Sequence, residues 1–224
     1  MGTSKGFIPP KNNAWRAAKT SVSRILTGGY STEKTQAAIS KFAKAYSESI
    51  LESSSSGEIL AGIAEFTDYI NRYGINETVK KYQIESLIDK HGNDLYAAIL
   101  DVFAPEYNER DEQVIRESFL STMEELNVDN LDDFGKINIE ELIEEFIVQY
   151  AIGSFESCFA EKIDAKAKTN AEYNKVINDV RNIIEESIVA SIDFKSAVDK
   201  GFTVERMNAA IHEAFEVLEI LEVV

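Results

Sequence analysis

Cysteine is all but missing from this chain. Cys158 stands alone, so neither an internal disulfide nor a cysteine-based zinc site can form. Set among Ile152, Phe155 and Phe159, it is expected to act as a small buried hydrophobe. Proline is confined to Pro9, Pro10 and Pro105, which leaves long stretches without the residue that most strongly interrupts a helix. Apolar runs are short, and none nears the roughly 20 residues that a membrane-spanning helix needs. The first residues lack the apolar core of a signal peptide, so a cytoplasmic location is expected. Walker and Rossmann glycine patterns are missing, and Ser154 lacks the Gly-x-Ser-x-Gly setting of a hydrolase nucleophile. His91 and His212 have Ile88 and Ala209 three residues before them, not the glutamate of a helical di-metal site. No catalytic residue, metal or cofactor is therefore assigned, and the chain is expected not to be an enzyme.

A basic surplus is also lacking. The chain carries 39 acidic and 23 basic residues, for a net charge of −16. The charge is unevenly placed: residues 1–50 hold eight basic and two acidic residues, and the remainder holds 15 and 37. That division sets +6 against −22. A protein with this balance is a poor general binder of nucleic acid, whose phosphates require a basic face. The acidic remainder serves as a solubilising surface, or faces one partner while the basic end meets another.

Apolar residues recur at helical spacing nearly throughout. Trp15, Ala18, Val22 and Ile25 form one stripe, with Gly28-Gly29 as its expected C-cap. Ile39, Phe42, Tyr46 and Ile50 form the next, on a helix from about Thr32. Ser55 and Glu58 have the spacing of a capping box ahead of Ile59, Ile63, Phe66 and Ile70, and Gly74 stops that helix. Helices over about 75–91 and 93–103 follow. Further stripes run through Ile115 to Leu126, Ile139 to about Ile163, Val176 to Ile184 and Val204 to Leu218. The fold class is all-α, a helical bundle of eight or nine helices with an extended N-terminal arm. Its expected division is an arm over 1–12, an N-terminal helical lobe over 13–104 and an acidic C-terminal helical lobe over 105–224. The alternative division joins the two lobes as one continuous domain; otherwise residues 104–111 mark the expected boundary.

Residues 130–141 overlay an EF-hand loop. Asn130 and Asp132 take the first and third positions, Gly135 the sharp turn, and Glu141 the twelfth. Phe134 falls where an oxygen ligand is needed, and Asn130 is neutral, so calcium affinity is expected to be low. A simpler reading makes Gly135 a turn and Asn138 the cap of the following helix, with Glu141 at its third position. Glu140, Glu141, Glu144 and Glu145 are expected to form a solvated face.

The N-terminal segment is distinctive. Met1 precedes Gly2, whose small side makes methionine removal expected and leaves an unhindered amine. Thr3, Ser4, Lys5, Gly6, Phe7 and Ile8 follow, then Pro9-Pro10, a composition that suits an extended arm. Gly6 stands where N-myristoylation requires Ser or Thr. Phe7 and Ile8 are the expected anchors of a bound arm, with Lys5, Lys11, Arg16 and Lys19 assisting. This arm, the Trp15/Arg16/Lys19/Arg24 helix and Gly28-Gly29 together resemble the start of the QatB component of the Qat anti-phage defence system, over roughly the first 50 residues. The resemblance implies a small helical protein encoded beside an ATPase, a QueC-like enzyme and a TatD-like nuclease. It further implies that the QueC-like partner uses the N-terminal glycine, here Gly2, as acceptor for a deazaguanine group. Membrane and direct nucleic-acid partners are not expected. An alternative without the resemblance is an acidic helical adaptor or inhibitor acting through protein–protein contact.

Overall fold

The computed structural model describes residues 10–103, 112–198 and 201–221. Among them the architecture is all-helical, with eleven α-helices and no strand. These are α1 (Asn13–Arg24), α2 (Thr32–Ser47), α3 (Ser56–Tyr73), α4 (Ile75–Tyr82), α5 (Gly92–Phe103) and α6 (Glu112–Glu125). Then come α7 (Leu131–Phe134), α8 (Ile139–Asp164), α9 (Asn170–Ser191), α10 (Phe194–Val198) and α11 (Val204–Glu219). Two of them, α7 and α10, are single-turn elements that the periodicity alone does not reveal. The expected helix over 75–91 divides into α4 and a short 3₁₀ turn at Glu85–Leu87.

Several helix ends have clear local causes. Asn12, Ser31 and Thr169 cap α1, α2 and α9, each side chain accepting a backbone N–H of the first turn. Asn138 accepts the Glu140 N–H at 3.0 Å, as its expected capping role requires. The Ser55 capping box does not form, because the Ser55 side chain makes no capping bond. Helix α1 stops at Arg24, before Gly28-Gly29. Ile25 and Thr27 donate to the Val22 and Arg24 carbonyls, and these i→i+3 bonds tighten the chain away from α-geometry.

The residues group into two compact units, each assembled from separated stretches. One comprises 1–54, 151–192 and 212–224; the other comprises 55–150 and 193–211. The expected boundary at 104–111 lies outside the described residues, and each unit draws on both sides of it.

In the first unit α1 packs on α2, and α2 also packs on α9. Its core is aromatic. Phe42 lies 5.2–6.4 Å, centroid to centroid, from the rings of Trp15, Tyr46, Phe155, Phe159 and Phe215. Several of these pairs are edge-on, the arrangement that ring quadrupoles favour. In the second unit α3 is central, packing against α4, α5 and α7. Phe66 meets Tyr82, Phe103 and Phe134 at 5.5–5.6 Å.

Candidate functional site

The arm residues Gly2, Thr3, Ser4, Lys5, Gly6, Phe7 and Ile8 lie outside the described residues. The structure does describe the root from which the arm departs. Trp15, one turn into α1, is fully buried and its indole N–H donates to Ser49 Oγ at 2.8 Å. Ser49 in turn donates to the Ala45 carbonyl at 2.6 Å. A hydrogen bond and a large apolar surface thus tie the start of α1 to the turn that follows α2.

The opposite face of α1 is built differently. Arg16, Lys19, Thr20 and Ser23 recur at helical spacing and form one wall of an open cleft of about 450 Å³. Pro10, Lys11 and Asn12 close one end, and Lys162 of α8 supplies the far side. Lys162 is half-buried, and its ammonium donates to the Lys19 carbonyl at 2.9 Å. Burial, followed by the charges of Lys19 and Lys166, pushes the Lys162 ammonium below the usual lysine range. Among the described residues, no carboxylate lines this cleft. The ion pairs among the described residues all form elsewhere, so Lys11, Arg16, Lys19 and Lys162 stand without an anionic partner. Lys162 had no signal in the sequence, since it lies 143 positions from Lys19 and belongs to no motif.

Cys158 lies near this region but is half-buried rather than fully enclosed. Burial pushes its thiol up to about 12, against the opposing effects of a Ser157 hydrogen bond and the Lys19 charge. It is a poor nucleophile at neutral pH.

The EF-hand-like segment folds as two capped helices. Asn130 caps α7, and Asp133 reciprocates by accepting the Asp129 and Asn130 N–H groups at 3.0 and 3.2 Å. Lys136, then these backbone donors, hold the Asp133 carboxyl below the usual range. Phe134 is fully buried against Phe66, and Gly135, with φ −68°, makes the turn that follows α7, as the simpler reading requires. Among the described residues, no group of three or more His, Cys, Asp or Glu is placed to hold a metal ion. Of the glutamates expected to form a solvated face, Glu141 is exposed, whereas Glu140, Glu144 and Glu145 are half-buried. His91 Nδ1 is 3.0 Å from Asp129 Oδ2 on the surface, and His212 joins no such pair among the described residues.

These features define an all-helical protein with a cationic cleft at the root of an N-terminal arm. The description "Qat anti-phage system associated protein QatB" belongs to a family model that matches residues 47–218, more than half of the chain, and the chain belongs to that family. This places it in an anti-phage defence system. The match begins beyond the arm and α1, so the family relationship extends over the helical body rather than being confined to the first 50 residues. No curated protein and no solved structure matches the chain. No helix among the described residues is long and apolar enough to cross a membrane.

Proposed function

We propose that this chain is a non-catalytic partner within the defence system, and that its N-terminal arm is recognised and modified at Gly2 by a QueC-like enzyme of the same operon. Membership of the QatB family carries the reading, because it supplies the system in which such a partner would act. The root of the arm supports it. Trp15 fixes the start of α1, and the intervening dozen residues provide reach. Gly2, Thr3, Ser4 and Gly6 are small enough to enter an active site, while Phe7 and Ile8 offer apolar anchors.

The chemistry requires an unhindered amine. A partner that activates a deazaguanine carboxylate by adenylation presents an acyl carbon to the neutral Gly2 nitrogen. An amide bond forms, AMP departs with the electrons of the broken acyl–phosphate bond, and the nitrogen releases its proton to solvent or a partner base. Catalysis belongs to the partner, and this chain is the acceptor. Intact-mass and N-terminal peptide measurements after co-expression with the neighbouring genes test the proposal. A mass increase confined to Gly2 is expected. Gly2→Leu should retain Met1, lose the modification and abolish defence while leaving the helical spectrum intact. An unmodified Gly2, together with full defence by Gly2→Leu, would remove the reading.

The −22 balance beyond residue 50 favours one other reading, an acidic adaptor that occupies a basic partner surface. In that case association with the partner survives Gly2→Leu and weakens with salt.

A further inference from the structure

The cleft between α1 and α8 concentrates positive charge where this protein has least reason to hold it. Acidic residues outnumber basic ones by 39 to 23, so most cations have abundant opportunities for pairing. Lys44, Lys80, Lys81, Lys136 and Arg181 are all in ion pairs. Among the described residues, Arg24, Lys41 and Lys90 are in no such pair, and neither are those of the cleft, which differ in converging on one concave surface. Lys19 and Lys162 are both half-buried there: the Lys162 ammonium donates to the Lys19 backbone carbonyl, and the Lys19 charge acts on it unfavourably. Like charges kept close without a counter-ion are unfavourable, and an anion placed between them reverses the sign of that interaction. The positive end of the α1 dipole lies at the same end of the cleft as Lys11, and no acidic residue occupies the first turn of α1 to neutralise it.

We infer that this cleft is a binding site for the phosphate groups of a small polyphosphate-bearing molecule, with Arg16, Lys19 and Lys162 as its principal ligands. The wall from Arg16 to Ser23 extends about 10 Å along α1, enough for more than one phosphate. The Thr20 and Ser23 hydroxyls already donate to the Arg16 and Lys19 carbonyls at 2.8 and 2.7 Å, which leaves the cations as the donors to a phosphate. Among the described residues that line the cleft there are four cations and no aromatic side chain, so what they recognise is phosphate rather than a base. A nucleic acid is a poorer occupant because its length would bring many phosphates against an acidic body. The cleft exists in the chain alone and does not depend on the fate of Gly2.

Calorimetric titration of the full chain with inorganic triphosphate at low ionic strength tests this site. The chain is expressed without its neighbouring genes, so the result is independent of arm modification. One saturable site is expected. Combining Lys19→Gln with Lys162→Gln should weaken it at least tenfold, and raising salt should weaken it further. Arg16→Gln changes an exposed side chain and should lower affinity several-fold without disturbing folding. Lys44→Gln, on α2, should have no effect. Hexaglutamate should bind at least tenfold more weakly than triphosphate. Absence of saturable binding at millimolar triphosphate would overturn the inference, as would undiminished binding by both cleft variants or equal binding of hexaglutamate.

Discussion

Cys158 shows how a residue can be chemically silent without being sealed away. Its thiol keeps its proton because the surroundings disfavour a thiolate, although Lys19 lies close enough to act in the opposite direction. At pH 8 an ordinary cysteine is partly ionised, whereas one shifted to about 12 is almost wholly protonated. Iodoacetamide should therefore label Cys158 roughly a thousandfold more slowly in the folded chain than in denaturant. Equal rates in the two states would show that the folded environment does not hold the proton. The low reactivity could be anticipated from the apolar neighbours Phe155 and Phe159. The cationic neighbour could not, because Lys19 approaches only through the packing of α1. Lys162 was hidden for the same reason. Of the cleft residues, Lys11, Arg16 and Lys19 stand out locally as part of a basic stretch, but only the fold brings α8 beside them.

Periodic apolar stripes made most helices legible, because burying one face needs no information beyond spacing. The breaks between helices were harder to see. Gln83 and Asn127 adopt φ 58° and 54°, the left-handed conformation usually left to glycine. In each case the next residue donates back across the turn, Ile84 to the Val79 carbonyl and Val128 to the Met123 carbonyl, and is itself buried. A hydrophobic residue seeking the core thus ends the helix without a glycine to announce it. Gly57 presents the converse case, a glycine within a helix. A Cβ added there would lie 2.0 Å from Asn208 Oδ1 and 2.8 Å from the Asn208 backbone nitrogen. The side chain can rotate away, but the backbone of α11 cannot. Gly57→Ala should therefore destabilise the chain by about 1 kcal/mol or more, despite the usual helical advantage of alanine over glycine. Chemical denaturation will decide the sign, and a stabilised variant would mean that α11 yields at this contact.

At the level of the whole molecule, charge and topology follow different divisions. The sequence changes sign near residue 50, yet the first compact unit joins 1–54 to 151–192 and 212–224. The basic end is therefore built into a unit that also contains acidic stretches. Composition made the charge division visible, whereas contacts between distant stretches had no local signature. The fragment 13–104 offers a direct test of this organisation. It contains Trp15, Phe42 and Tyr46 but lacks Phe155, Phe159 and Phe215, three ring partners of Phe42. Expressed alone, the fragment should show no cooperative thermal transition and little near-ultraviolet circular dichroism, because its aromatic core is incomplete. A sharp transition with native-like aromatic signals would show that 13–104 folds independently.

The stacking of Phe215 on Tyr46, at 5.1 Å, also bears on the order of events during synthesis. Residues 42–46 leave the ribosome long before residue 215, and their aromatic cluster stays open until α11 arrives. The base of the arm consequently acquires its final support only after nearly all of the described chain has been made. A nascent or truncated product can display the same first residues without the same support beneath them. A product that ends before residue 215 lacks the ring that closes this cluster, so the start of α1 rests on an incomplete core until synthesis is nearly finished.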